Sequence, residues 1–146
     1  MITVLAHNIR SMHNIGSIFR TCDGAGISKL YLTGYTACPP RKEINKTALG
    51  ADESVVWEYH KDPIKLVKKL KKEGLKIIAL ERTEGSIDIT TFKSKPPLCM
   101  IIGNEIDGVE PDLIKLSDAI VEIPMRGQKE SLNVSVAFGI AAYFLT

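Results

Sequence analysis

Short apolar runs alternate along the chain with segments of helical periodicity. Six runs are rich in β-branched or large apolar residues and predict strands, at residues 2–5, 29–34, 54–59, 76–80, 98–102 and 119–124. The runs 76–80 and 98–102 are apolar at nearly every position, which is typical of strands covered on both faces. The strands are therefore expected to lie inside a layered domain.

Helical segments separate most of these runs. Apolar residues recur at Ile15, Ile18, Phe19 and Cys22, so a helix is predicted there, with Asn14 as its N-cap and Gly24 or Gly26 at its end. Further helices are predicted from the Asp–Pro pair at residues 62–63 to residue 74, from residue 111, and from about residue 133 onward.

Alternation of strands and helices predicts an α/β fold with a mostly parallel six-stranded sheet and helices on both faces. No repeat or linker interrupts the 146 residues, so residues 1–146 are expected to form a single domain with no appended RNA-binding domain. Residues 34–52 lack periodicity and are expected to form a long loop, which is either functional or simply solvated.

Composition excludes several classes of protein. The net charge of +2 does not by itself indicate a nucleic-acid-binding protein. Three cysteines without close spacing, and three histidines without ligand spacing, predict neither a disulfide framework nor a metal site. The longest apolar stretch is too short for a membrane span, and no secretory signal is evident. We expect a cytoplasmic protein with reduced thiols, no metal and no membrane partner. No dinucleotide-binding or Walker glycine pattern is present.

Polar segments follow four of the predicted strands, at residues 6–20, 81–86, 103–111 and 125–135. In a parallel sheet these segments meet at the carboxyl edge, where ligands bind. Gly16 and Arg20 share a helix face, so a guanidinium beside a glycine gap could hold an anion. The plainer alternative is that Arg20 pairs with Asp23 at the surface.

The final predicted helix is apolar almost all round and carries several small residues. Such a helix must be buried on nearly every side, which predicts coverage by a second subunit and therefore a homodimer. Basic residues of the long loop, Arg41, Lys42 and Lys46, are better candidates for RNA contacts than the lysines of the helix after residue 62, which fit an ordinary solvated face.

Three segments together resemble the SpoU (TrmH-like) branch of the SPOUT RNA 2′-O-ribose methyltransferases. They are NIGSIFRTCDGAG at residues 14–26, IIGNEIDGVEP at 101–111, and IPMRGQKESLNVSVAFGIAAY at 123–143. Their order and spacing match that family over essentially the whole chain.

The resemblance implies a deep C-terminal trefoil knot, an obligate homodimer and S-adenosylmethionine as cofactor. It implies catalytic roles for Asn14, Arg20, Glu105, Ser131 and Asn133. The cofactor-binding residues that it implies are Leu80, Glu81, Ile102, Gly103, Asn104, Gly108, Ile123, Pro124, Met125, Ser131, Leu132 and Asn133. RNA contacts are expected from Arg20, Arg41, Lys42 and Lys46.

A guanidinium titrates too high for a general base, so Arg20 is expected to hold the RNA phosphate while that phosphate accepts the ribose proton. Glu105 is either a positioning residue or a plain helix cap. Transfer RNA is the favoured substrate, at a D-loop guanosine or an anticodon wobble nucleotide, and ribosomal RNA is the alternative. A non-catalytic RNA-binding module and a nucleotide-cofactor enzyme without a knot remain open.

Overall fold

Seven parallel strands form one sheet in the computed structural model, which describes residues 1–146. The strands are β1 (Ile2–His7), β2 (Lys29–Thr33), β3 (Trp57–His60), β4 (Lys76–Leu80), β5 (Ile87–Asp88), β6 (Leu98–Ile102) and β7 (Ala119–Glu122). The helices are α1 (Met12–Ala25), α2 (Lys42–Ala48), α3 (Ala51–Ser54), α4 (Pro63–Lys72), α5 (Pro111–Leu116) and α6 (Val134–Leu145). The strand order is β3-β2-β1-β6-β4-β7-β5.

The α/β prediction is confirmed, but the predicted count of six strands was wrong. The additional strand, β5, has only two residues and pairs with β7 through Ile87 and Val121. A two-residue strand is too short to show any periodicity, and β7 rather than its own sequence holds it in place. Since β7 lies between β4 and β5, and both Leu80 and Ile87 pair with Val121, the connection 81–86 crosses from one side of β7 to the other near its carboxyl end.

Helices cover both faces of the sheet, as the apolar strands predicted. One face packs against α1, α2, α3 and α6 around the buried rings of Phe19 and Phe138. The other face packs against α4 and α5, with Val67 and Leu113 fully buried there. No helix in the protein is both long enough and apolar enough to span a membrane.

The helix ends agree with the sequence predictions at some positions and differ at one. Asp62 caps α4 by accepting hydrogen bonds from two backbone amides, and Asn133 caps α6 by accepting one from Ser135. Gly26 ends α1 in a left-handed conformation. The predicted N-cap of α1 was wrong: Ser11 is the cap, and Asn14 lies in the first turn with its side chain turned toward another segment.

The segment 34–52 is not one long loop, and this prediction was also wrong. It contains α2 and α3, which pack on α1 through buried Ile44, Ala48 and Ala51. These helices are too short to produce an apolar stripe over several turns, and tertiary contact with α1 stabilises them.

The last helix is less enclosed than its composition suggested. Phe138, Ala141 and Ala142 are fully buried against the domain. Four other apolar side chains of α6 are exposed: Val136, Ile140, Tyr143 and Phe144. Within one chain, α6 therefore has a buried face and an uncovered apolar face.

Candidate active site

A recess opens at the carboxyl edge of the sheet, between the turns that follow β4, β6 and β7 and the start of α6. Apolar and polar groups share its wall. The lining residues are Leu80, Glu81, Arg82, Ile102, Gly103, Asn104, Glu105, Ile106, Gly108, Glu122, Ile123, Met125, Glu130, Ser131, Leu132, Val134 and Ala137. Parallel strands β4, β6 and β7 end side by side, so their three turns converge although they are far apart in sequence.

The turn after β6 is a tight structure organised by Asn104. The Asn104 side-chain oxygen accepts hydrogen bonds from the backbone N–H groups of Ile106 and Asp107, at 2.8 and 2.9 Å. Its Nδ2 donates to the carbonyl of Asn8 at 2.9 Å and to the Tyr35 hydroxyl at 2.8 Å. This side chain is therefore occupied in fixing the shape of the recess wall.

Two glycines allow this turn to pack closely. A Cβ on Gly103 would overlap the backbone of Gly108, and a Cβ on Gly108 would overlap the carboxylate of Glu81. Gly108 also has a positive φ of 71°, a conformation that favours glycine. The Glu81 carboxylate accepts the Val109 N–H at 2.9 Å, which joins the end of β4 to the turn after β6.

Asn14 joins the three segments that carried the family resemblance. Its Nδ2 donates to Glu105 Oε2 at 3.1 Å, and its Oδ1 accepts a hydrogen bond from Asn133 Nδ2 at 3.4 Å. We call these three residues the asparagine–glutamate junction. It connects α1, the recess turn and the cap of α6, which are separated by about ninety or more residues from α1 in the sequence.

Glu105 also binds the two residues directly before α1. Its carboxylate accepts the backbone N–H groups of Arg10 at 2.9 Å and Ser11 at 2.8 Å. Burial alone would raise the pKa of Glu105, but the hydrogen bonds from Arg10, Ser11 and Asn14 outweigh it and lower the pKa below its usual value. The side chain that caps α1 is that of Ser11, so these contacts hold the segment before α1 against the recess turn.

Arg20 does not line the recess. It is exposed and lies in a separate groove between α1, α2 and the end of α6, which we call the α1–α2 groove. The groove residues are Ser17, Arg20, Thr21, Gly24, Lys46, Thr47 and Tyr143. Arg20 forms no ion pair, and Asp23 instead accepts a hydrogen bond from Ser54 at 3.1 Å.

The proposed glycine gap beside Arg20 does not exist. Gly16 is buried, and a Cβ there would overlap Thr47 Oγ1 and the carbonyl of Ile44. The glycine instead allows the backbone of α2 to pack directly on α1. Small residues at a helix contact are an alternative that the sequence pattern alone could not separate from an anion site.

The basic residues predicted to contact RNA all lie on or beside α2. Arg41 is the residue before the helix, and Lys42 and Lys46 are exposed on it. Lys46 shares the α1–α2 groove with Arg20, so the structure brings two of the four predicted cations together. Arg41 lies 3.9 Å from Glu43, which partly offsets its charge.

The predicted cofactor residues gather at one place. Ten of the twelve line the recess, and only Pro124 and Asn133 do not. Of the predicted catalytic residues, Glu105 and Ser131 line the recess, whereas Asn14 and Asn133 contact it through the junction. Six lining residues were not predicted: Arg82, Ile106, Glu122, Glu130, Val134 and Ala137. Their nearness to predicted strand ends, or to the start of α6, was the available signal.

Comparison with known proteins identifies the class. The SpoU rRNA methylase family model matches residues 1–143, and the chain therefore belongs to that family. A tRNA (guanosine(18)-2′-O)-methyltransferase of Aquifex aeolicus is 34% identical over 143 residues, covering 97% of this chain and 67% of the relative. The 23S rRNA (guanosine-2′-O-)-methyltransferase RlmB of Vibrio parahaemolyticus is 28% identical, covering 97% of this chain and 57% of the relative.

Solved structures show the same fold. The AdoMet-bound rRNA methyltransferase from Sinorhizobium meliloti superposes with a TM-score of 0.91 at 27% identity, covering 98% of this chain and 54% of that one. Several relatives are thus considerably longer than the domain described here.

Proposed function

We propose that this chain binds S-adenosylmethionine in the recess and transfers its methyl group to a ribose 2′-hydroxyl of RNA. The observation that carries the proposal is the asparagine–glutamate junction. It fixes the recess turn, the first turn of α1 and the cap of α6 relative to one another. Such fixed geometry is what a reaction needs when alignment of donor and acceptor supplies much of the rate.

The recess suits this cofactor by its chemistry. Leu80, Ile102 and Leu132 offer apolar surfaces for an adenine ring, and the turns expose backbone groups for its polar edge. Carboxylates of Glu81 and Glu130 also lie in the wall and would favour a cationic ligand, whereas Glu122 is paired with Arg82 of the same wall at 3.6 Å. When bound, the cofactor supplies a methyl group that its sulfonium has already activated for nucleophilic attack.

The residues of this chain then have to bind the RNA and orient the ribose so that the proton of its 2′-hydroxyl can leave. We assign Arg20 to an RNA phosphate, together with Lys46 in the same groove. The ribose oxygen would form its new bond to the methyl carbon as the bond from that carbon to sulfur breaks, which would leave S-adenosylhomocysteine. The hydroxyl proton of the ribose would pass to an oxygen of the phosphate next to that ribose. Glu105, Asn14 and Asn133 position the segments, and Ser131 lies in the wall where it can contact the ribose.

A homodimer is part of this proposal. The helix α6 borders both the recess and the α1–α2 groove. Val134 and Ala137 of α6 line the recess, whereas Tyr143 lines the α1–α2 groove. The exposed apolar face of α6 favours association with a second copy. Light scattering of the protein at micromolar concentration should give twice the chain mass. A monomeric mass would contradict this part of the proposal.

A C-terminal trefoil knot is the second structural part of the proposal. The connection 81–86 crosses from one side of β7 to the other near its carboxyl end, and the recess wall also includes residues 130–132, which come later in the chain. This order supports passage of the C-terminal segment through a closed loop of chain. Knots are rare, and a knot here would hold the recess turns together by topology as well as by hydrogen bonds.

We favour transfer RNA as the substrate, in the cytoplasm, with the D-loop guanosine first and the anticodon wobble nucleotide second. The Aquifex aeolicus relative, named for guanosine 18 of tRNA, supports this order. Ribosomal RNA is the alternative substrate, which the RlmB relative favours.

The decisive experiment is methyl transfer from labelled S-adenosylmethionine to total tRNA and, separately, to ribosomal RNA, followed by mapping of the modified nucleotide. We expect a 2′-O-methyl group in tRNA. An Arg20→Lys variant should lose most of the rate, because lysine cannot form a bidentate phosphate contact.

Calorimetry separates the remaining alternatives. Binding of S-adenosylhomocysteine without binding of NAD or ATP is expected. Cofactor binding without any methyl transfer would favour a non-catalytic RNA-binding module. Binding of NAD or ATP instead would refute the proposed cofactor.

A further inference from the structure

Two exposed tyrosines lie near one another at the carboxyl edge of the sheet, outside the recess and the α1–α2 groove. Tyr35 follows β2 and is 57% exposed, and Tyr59, on the edge strand β3, is 45% exposed. Tyr59 pairs in register with Leu32 and therefore shares its face, which is the face that α1 and α2 cover. Neither tyrosine has a role in the functions assigned above.

Both tyrosine hydroxyls are held by hydrogen bonds while the rings remain accessible. The Tyr59 hydroxyl donates to the carbonyl of Gly34, the residue directly before Tyr35. The Tyr35 hydroxyl accepts from Asn104 at 2.8 Å, and its backbone N–H donates to Asn8 at 2.9 Å. An aromatic side chain anchored in this way loses little conformational entropy when a ligand covers its ring.

We propose that Tyr35 and Tyr59 form a stacking surface for unpaired bases of the RNA substrate. Every nucleobase has an apolar face that stacks on an exposed aromatic ring, and sequence-tolerant binding of single strands relies on such rings beside basic residues. Arg41 and Lys42 follow Tyr35 by six and seven residues at the start of α2 and supply the charge for the RNA backbone.

The hydrogen bond from Asn104 connects this surface to the recess. Asn104 belongs to the recess wall, so Tyr35 lies one hydrogen bond away from it. Ile106, on the same turn as Asn104, lines the recess and is 75% exposed, so it adds apolar surface at this edge. A loop nucleotide whose ribose enters the recess would thus have its unpaired neighbours on the tyrosines. This inference rests on the proposed function and extends it from RNA in general to RNA with an unpaired target segment.

The test compares two RNAs and two double variants of the full chain. One RNA is a hairpin with an unpaired loop, and the other is a fully paired duplex of equal length. Tyr35→Leu/Tyr59→Leu removes the rings, whereas Tyr35→Phe/Tyr59→Phe keeps the rings and removes only the hydroxyls. Val56→Ala, at another exposed apolar position, is the matched control. RNA affinity is measured by fluorescence anisotropy, and S-adenosylhomocysteine affinity by calorimetry.

We expect the leucine variant to bind the hairpin at least about fivefold more weakly than the phenylalanine variant does. Both variants lack the Tyr35 hydroxyl that Asn104 binds, so the two should have equal affinities for the duplex and for S-adenosylhomocysteine. The phenylalanine variant should stay within about threefold of the wild type, because stacking survives. Unchanged hairpin affinity in the leucine variant would overturn the inference. An equal loss for hairpin, duplex and cofactor would also overturn it, since it would indicate a structural role. If the wild-type protein methylates RNA but binds the duplex more tightly than the hairpin, the stacking surface alone is refuted. If the wild-type protein neither binds nor methylates RNA, the proposed function itself is refuted.

Discussion

Replacement of Glu105 by glutamine tests whether the asparagine–glutamate junction stabilises the fold. The carboxylate accepts two backbone N–H groups at the start of α1 and the Asn14 side chain. Glutamine keeps one acceptor oxygen but presents an NH₂ group to one of these donors and loses the charge that favours a helix N-terminus. A hydrogen bond to a charged group contributes about 1.5–3 kcal/mol when buried, and the helix-end charge adds about 0.3–1 kcal/mol.

Glu105 is only partly buried, so water can replace some of what is lost. We therefore expect Glu105→Gln to lower the free energy of unfolding at pH 7 by about 1–2 kcal/mol, equivalent to about 2–8 °C in Tm. Urea denaturation followed through the fluorescence of Trp57, the single tryptophan, measures this at a fixed protein concentration. Glu84→Gln is the control, because Glu84 is exposed and forms no ion pair.

The pH dependence follows from the lowered pKa of Glu105. Its ionised form favours the folded state, so its contribution is complete above the ordinary pKa of 4.5 and is lost as the pH falls through the lower folded-state pKa. The stability difference between wild type and Glu105→Gln should accordingly shrink below about pH 4.5. A variant as stable as the Glu84 control at pH 7, or a difference that does not shrink as the pH falls below about 4.5, would refute this reasoning.

Three further predictions follow from packing. Gly16→Ala should destabilise the fold by more than about 2 kcal/mol because its Cβ overlaps α2, whereas Gly127→Ala, which meets no atoms, should change the free energy of unfolding little. Gly103→Ala should weaken S-adenosylhomocysteine binding, measured by calorimetry, at least tenfold, since the new Cβ pushes away the backbone of Gly108 in the recess wall. Unchanged affinity would exclude the Gly103–Gly108 turn from the binding site. In a thiol-reagent assay the half-buried Cys38 should react first, because burial raises the pKa of the Cys22 and Cys99 thiols further. Simultaneous reaction of all three thiols would contradict the buried positions of Cys22 and Cys99.

The features that the sequence predicted well combine a local signal with a general rule of topology. Asp62 and Asn133 are cap residues directly before apolar helical segments, so each marks its helix unaided. The recess was predicted from the polar turns after strands 76–80, 98–102 and 119–124, because the carboxyl ends of parallel strands lie at the same edge of the sheet. Neither inference required knowledge of long-range contacts.

The features that the sequence did not predict depend on long-range contacts, which no local pattern of residues indicates. Strand β5 exists because β7 pairs with it, and α2 exists because α1 offers a backbone surface at Gly16. Ile44 and Ala48 are buried one turn apart, but Leu49 adopts a left-handed conformation and ends α2 after seven residues, which is too few for a repeating apolar pattern. The sequence therefore contained the apolar positions without indicating which element would cover them.

The residues that carried the family resemblance have roles that a motif alone does not separate. Gly16 serves the packing of α1 on α2, whereas Asn14 and Glu105 hold α1 against the recess turn. Loss of Asn14 or Glu105 would therefore disturb the hydrogen bonds that hold α1 against the recess turn, whereas substitution of Gly16 would disturb the packing of α2. Arg20 differs, because it is exposed and forms no ion pair, and it lies in the same groove as Lys46. An unpaired guanidinium beside a second cation is the strongest candidate in this segment for direct contact with RNA.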